Sequence, residues 1–150
     1  MKRAARAIII KDDNILVMRR DKFGRQYFIL IGGQVHLGES LEHALLREIH
    51  FETMVRTANH KLVYIEHAEA PYGDQYIYLC EYISGVPVLH PEAGERQINA
   101  GGDNTYTPLW LPLSQLDNVA FRSEKLKRKL LRHTQQGFPT IVQEFSSTID

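Results

Sequence analysis

Two glutamates, Glu48 and Glu52, stand one helical turn apart in the stretch LEHALLREIHFET, residues 41–53. A helix rotates about 100° per residue. On that geometry Leu41, Ala44, Leu45, Ile49, Phe51 and Val55 share one apolar arc, broad enough to face a core. Glu48 and Glu52 fall about 20° to either side of Leu41, in the middle of the arc, while His43 and His50 fall on the far side. An ionised carboxylate buried without a partner costs several kcal/mol. Three arrangements relieve that cost: pairing with buried cations, protonation, or a cleft in which both acids share a divalent metal. Acids at i and i+4 repel, and a cation between them removes the repulsion. Hard cations such as Mg²⁺ prefer carboxylate oxygens and keep waters that a phosphate can replace. The histidines point away, which disfavours zinc. The metal cleft is therefore the arrangement expected.

The residues leading into this pair are more specific than the pair itself. Gly33 is followed after five residues by Glu39, and after seven more by Arg47-Glu48-Ile49; Glu52 and Val55 complete the run. Order and spacing resemble the Nudix box, G-x5-E-x7-R-E-U-x-E-E-x-G-U, where U is a bulky aliphatic residue. Phe51 stands where the first Glu of the pair is expected, and Met54 where the closing Gly is expected. Ile31 occupies a place where many members of that family carry proline. Phe51 removes one possible metal ligand and offers core packing instead. Met54 removes the residue best suited to a left-handed helix cap, which predicts a helix running a further turn toward Asn59.

The resemblance implies a hydrolase that uses Mg²⁺ or Mn²⁺ to direct water at a phosphorus of a nucleoside diphosphate linked to another moiety. Suitable substrates are NDP-sugar, nucleoside triphosphate or ADP-ribose compounds. It implies Glu48 and Glu52 as metal ligands, with Glu39 beside the metal or holding the loop. Arg47 is expected to orient one of these acids by a charge-assisted bond. Ser40 suits a helix N-cap, and Gly33 a tight backbone turn beside the substrate. The family often adds an acid from a distant loop; Asp103 is the first choice, with Glu92 and Glu95 as alternatives. Arg19 and Arg20 end a strand, so alternation turns one of them inward, where it can meet a phosphate. Tyr72 is a candidate for stacking on a base, as are Phe23, Tyr27, Phe28 and Tyr76. Pro71 and Tyr72 resemble markers of rival subgroups and cancel as guides to substrate. The two departures favour an alternative, a catalytically weakened nucleotide-binding or regulatory module; retention of Glu39, Arg47, Glu48 and Glu52 argues against it. A structural domain with an internal ion-pair network is the third reading.

The elements that must position these residues are legible as alternating strands and helices. AARAIII, residues 4–10, and ILVMRR, residues 15–20, flank the turn-forming KDDN and predict a hairpin. YFILI, residues 27–31, predicts a strand ended by Gly32-Gly33. Two strands follow at 61–70 and 74–83, then a loop over 90–104. Pro108 places the next strand at a sheet edge or a bulge. Ser123 caps a second helix that buries Leu126, Leu130 and Leu131 and stops at Gly137. The last dozen residues carry no assignment. Together with the resemblance, this predicts one α/β (α+β) domain over 1–150, a Nudix-like α/β/α sandwich with a mixed central sheet.

Composition sets the outer limits. The 150 residues are 43% hydrophobic, enough for a real core, and Lys plus Arg equals Asp plus Glu at 18 each. A neutral chain lacks the broad positive surface that duplex nucleic acid requires, yet two or three cations suffice for a small nucleotide. Cys80 is the sole cysteine, so no intrachain disulfide forms, and its apolar setting predicts an inert thiol. No stretch has the length of a membrane span or a secretory signal. The cytoplasm is the expected compartment, and the resemblance allows a homodimer.

Overall fold

In the computed structural model, which describes residues 2–148, Asp12 and Asp13 both take positive φ, 49° and 60°. That pair of angles is what a two-residue hairpin turn needs to match strand twist. The turn joins β1 (Arg3–Lys11) to β2 (Asn14–Lys22). Phe23 and Gly24 repeat the device with φ of 49° and 81°, and lead into β3 (Arg25–Gln34). This strand does not stop at Gly32-Gly33 as expected; both glycines lie inside it and pair with Arg6 and Ala5 of β1. Met1, Ile149 and Asp150, which belong to the expected 1–150 domain, lie outside the described residues.

Helix α1 (Leu41–Thr53) begins at Ser40, whose hydroxyl accepts from His43 N at 3.1 Å. It ends earlier than Met54 suggested. Met54 itself adopts the left-handed conformation, φ 56° and ψ 13°, and donates to His50 O at 3.0 Å. Thr53 supports this ending: its hydroxyl donates to Ile49 O at 2.7 Å and accepts from Val55 N at 3.1 Å. The chain then enters β4 (Arg56–Ala68) and β5 (Gly73–Ser84). The expected loop over 90–104 contains a short helix, α2 (Gly94–Asn99), before β6 (Asn104–Pro112). Asn99 fastens α2 to β6, donating to Tyr106 O at 2.9 Å and accepting from Tyr106 N at 2.6 Å. After a 3-10 turn comes α3 (Glu124–Gln136), and the unassigned tail holds β7 (Gln143–Ser147).

The seven strands run in the order β6-β2-β3-β1-β5-β4-β7. β1 is parallel to β5, β4 is parallel to β7, and the remaining pairs are antiparallel. Pro108 sits in β6, an edge strand as expected. β1 is central and buried on both faces, which is why it reads as an almost continuous apolar run. Ala5, Ala7 and Ile9 face α1 together with Leu16, Met18, Ala44, Leu45 and Ile49. Ile8 faces the other way with Val17, Leu30, Ile77, Leu126 and Leu130 of the α3 side. The result is an α/β/α sandwich around a mixed sheet. Cys80 is buried, and burial pushes its thiol up to about 12. Among the described residues no helix is long and apolar enough to cross a membrane.

Candidate functional site

Gly32 and Gly33 bring the β3 backbone against the acidic face of α1. Gly32 N–H donates to Glu52 Oε1 at 2.8 Å. A Cβ on Gly33 would lie 2.9 Å from the Glu48 carboxyl carbon, so the missing side chain is what admits this carboxylate. Glu52 is only 4% exposed. Burial, then the charge of Glu48, raises its pKa well above the ordinary 4.5; the Gly32 hydrogen bond and the Arg6 charge oppose the rise. Glu95 reaches the same spot from the first turn of α2. Glu48, Glu52 and Glu95 each offer a carboxylate oxygen, all within 4.8 Å of one another. Among the described residues, neither Glu52 nor Glu95 forms an ion pair. An all-oxygen set of three close carboxylates fits a hard divalent cation, whose charge would offset the mutual repulsion that helps raise Glu52.

Arg47 ties the loop 35–40 to this group. Its Nη1 lies 2.5 Å from Glu48 Oε1, its Nε 2.8 Å from Glu39 Oε2, and its Nη2 3.0 Å from both Glu39 Oε1 and Gln34 O. Glu39 also binds His43 Nδ1 at 2.7 Å and accepts from His36 N at 3.0 Å. The Arg47 bond, then the His36 N–H, holds Glu39 far below the usual carboxylate range. Both its oxygens are engaged, so Glu39 braces the loop, one of the two places expected for it, and it is not among the three carboxylates that converge. Asp103, the first choice among the loop acids, does not join the triplet. Its side chain is exposed at the α2–β6 turn, and its carbonyl accepts from Phe23 N at 2.6 Å. Glu92 is exposed too, which leaves Glu95 as the loop acid that meets the helix pair.

The triplet lines a cleft of about 320 Å³ together with Arg6, Arg20, Arg122, Tyr72 and Tyr106. Strand alternation separates the two β2 arginines as anticipated. Arg19 pairs with Asp21 at 3.0 Å and does not line the cleft. Arg20 does: it lies over the Tyr106 ring at 3.6 Å, meets Tyr27 Oη at 3.3 Å and bonds Asn104. Arg122 lies between the rings of Tyr27 and Tyr72, at 4.4 and 5.0 Å. Arg6 donates to Leu30 O and Gly32 O, both at 3.1 Å, and to Gln75 Oε1 at 3.0 Å. Withdrawal from solvent lowers its pKa against the pull of Glu52 and Glu48. The sequence reading missed Arg6, Tyr106 and Arg122. Arg6 had a signal, a charge inside an apolar strand; Arg122, in a connecting segment, had none.

The family model described as NUDIX domain matches residues 1–134. A curated relative, the NAD-capped RNA hydrolase NudC of Edwardsiella ictaluri (strain 93-146), is 30% identical over 77 residues. That alignment covers 51% of this chain and 30% of the relative, so the chain spans under a third of that protein's length. Among solved structures, a NUDIX hydrolase from Nitrosomonas europaea superposes with a TM-score of 0.70 at 14% identity, over 97% of this chain and 79% of the other. An ADP-ribose pyrophosphatase from Streptococcus suis 89-1591 gives 0.66 at 15% identity, over 96% and 98%. At these identities the solved structures speak for the fold.

Proposed function

Because the chain belongs to the Nudix family, we propose that it is a pyrophosphohydrolase that uses Mg²⁺ or Mn²⁺ to cleave a nucleoside diphosphate linked to a second moiety. The observation that carries this reading is the convergence of Glu48, Glu52 and Glu95 in one cleft with three arginines. Acids alone would suit a bare cation, and arginines alone a bare anion. Their combination suits a polyphosphate.

Glu48, Glu52 and Glu95 would hold the cation, which when bound neutralises phosphate charge and lowers the pKa of a water. Arg47 keeps Glu48 in one rotamer, and Gly32 N–H does the same for Glu52. Arg6, Arg20 and Arg122 take phosphate oxygens and fix the phosphorus in line with the attacking water. Water oxygen bonds to phosphorus, the bridging P–O bond breaks, and the leaving phosphate keeps the electron pair. The proton released by water passes to a carboxylate of the triplet. Tyr72 and the substrate's base are suited to stack. The substrate class is the one anticipated, an NDP-sugar, nucleoside triphosphate or ADP-ribose type compound.

Phosphate release over a nucleotide panel during a Mg²⁺ titration tests the proposal. The wild type should turn over at least one compound, and Glu52→Gln should abolish turnover. Phe51 favours a second reading, a binding module without turnover: its ring packs on His50 and His90, at 5.2 and 5.0 Å, instead of offering a carboxylate. A wild type that releases no phosphate yet melts higher with nucleotide would replace the first reading with this one.

A further inference from the structure

Glu66 of β4 is 4% exposed and lines the same cleft. One of its oxygens accepts from Ser123 Oγ, the cap of α3. Among the described residues no ion pair engages it. The cap alone does not call for a carboxylate. Ser123 Oγ already accepts from Leu126 N at 3.2 Å, and any neutral acceptor would serve its proton. The charge of Arg6 acts on it through space and not through a hydrogen bond. Its neighbours on the cleft floor are Gln75, its partner across the β4–β5 ladder, and Arg6 one strand further. Gln75 is spent: its Oε1 takes Arg6 Nε, and its Nε2 donates to Tyr72 O at 3.0 Å. Glu66 is therefore the free acceptor at this end.

Three strand spacings, about 14 Å, separate β3, where Glu52 is anchored, from β4. A nucleotide with its phosphates at the carboxylate triplet and arginines bridges that span with its sugar and base. We propose that Glu66 selects the nucleoside part of the substrate by accepting hydrogen bonds from it, and that it repels ligands presenting a negative charge there. The chemistry is N–H or O–H donation to a carboxylate; its source is an exocyclic amino edge of the base or the hydroxyls of the ribose. This rests on the pyrophosphohydrolase reading for the placement of the phosphates.

The test is kcat/KM for wild type and Glu66→Gln on matched pairs: GTP with ITP, ATP with purine riboside triphosphate, and CTP with UTP for the amino group, and each ribonucleotide with its 2′-deoxy form for the sugar. Gln keeps the acceptor that Ser123 needs, so a purely structural role predicts no change in preference. The expected result is a wild-type preference of about tenfold or more for the donor-bearing member in one arm, lost in Glu66→Gln. Equal discrimination in both proteins, no discrimination in the wild type, or a uniform loss on every substrate overturns the proposal. Calorimetric binding of the corresponding diphosphates separates the two claims. A Glu66-dependent preference in binding with no turnover sinks the hydrolase reading and leaves this one standing; turnover without the preference does the reverse.

Discussion

Replacing Glu52 with Gln should make the metal-free protein more stable while disabling it. Glu52 is 4% exposed and within 4.8 Å of the carboxylate oxygens of Glu48 and Glu95. Two unit charges at that separation repel by about 3 kcal/mol at an effective dielectric near 20. Protonation caps the cost. Keeping neutral at pH 7 a carboxyl whose ordinary value is 4.5 also costs about 3 kcal/mol, at roughly 1.4 kcal/mol per unit. Gln removes the charge and still accepts from Gly32 N–H, but its amide needs a partner of its own, so the net gain is about 1–3 kcal/mol. For a domain of this size that is roughly 3–10 °C in Tm. The sign with pH follows from the raised Glu52. Above 4.5 the unfolded chain loses this proton while the folded one retains it. Wild-type stability without metal should therefore fall as pH rises from 4.5 toward the folded value, and Glu52→Gln should lack that slope. Thermal melts in EDTA across pH, repeated in Mg²⁺, measure both. Metal should raise the wild-type Tm, by about 2.7 kcal/mol of stabilisation at a hundredfold excess over Kd, and leave the variant nearly unmoved. A variant that melts at or below wild type in EDTA would refute the reasoning, because the carboxylate would then be compensated without metal.

The two adjacent glycines should behave oppositely. Gly33→Ala puts a methyl 2.9 Å from the Glu48 carboxyl carbon, a movable group, so kcat/KM should drop about 10–100-fold with under about 1 kcal/mol lost in urea unfolding. Gly32→Ala puts one 2.1 Å from Ala5 O at φ +143°, so unfolding should show a loss of at least about 3 kcal/mol. Arg47→Lys keeps the charge but cannot span Glu39, Glu48 and Gln34 at once; proteolysis should cut the loop 35–40 faster and Mn²⁺ binding should weaken about tenfold or more. His67 is held above its ordinary 6.5 by Asp74, then Glu144 of β7. Its support for β7 is full below 6.5 and fades as pH rises through the folded value, so amide exchange in β7 should quicken there, and His67→Gln should remove that change.

What was legible locally was legible well. The face of α1 that carries Glu48 and Glu52 follows from helical pitch and needs no tertiary knowledge. The hairpin at Asp12-Asp13 and the choice of edge or bulge set by Pro108 are equally local. Glu95 and Asp103 sit in one polar segment, and nothing in their neighbours tells which one reaches α1. The Asn99 clasp on Tyr106 decides it, a contact between residues whose pairing only the folded sheet determines. Met54 misled because propensity favours glycine in the left-handed region. The cost of a side chain there, roughly 1 kcal/mol, is offset by the Thr53 bonds and the prompt entry into β4. Arg6 was visible as a charge in an apolar strand, but its use required knowing that β1 lies at the centre of the sheet beside Gly32.

Two peptide units that meet at the Gly32 Cα therefore serve both signs of charge. Gly32 offers its N–H to Glu52 and its carbonyl to Arg6, so one residue of a strand paired on both sides links an acid of the triplet to an arginine of the cleft. The spacing of Glu52 and Arg6 is thus set by backbone that the β1–β3 ladder holds. A change of side chain elsewhere in the cleft leaves that backbone link in place. Choice of the rest of the substrate then falls to groups outside it, Tyr72, Arg122 and Glu66 among them.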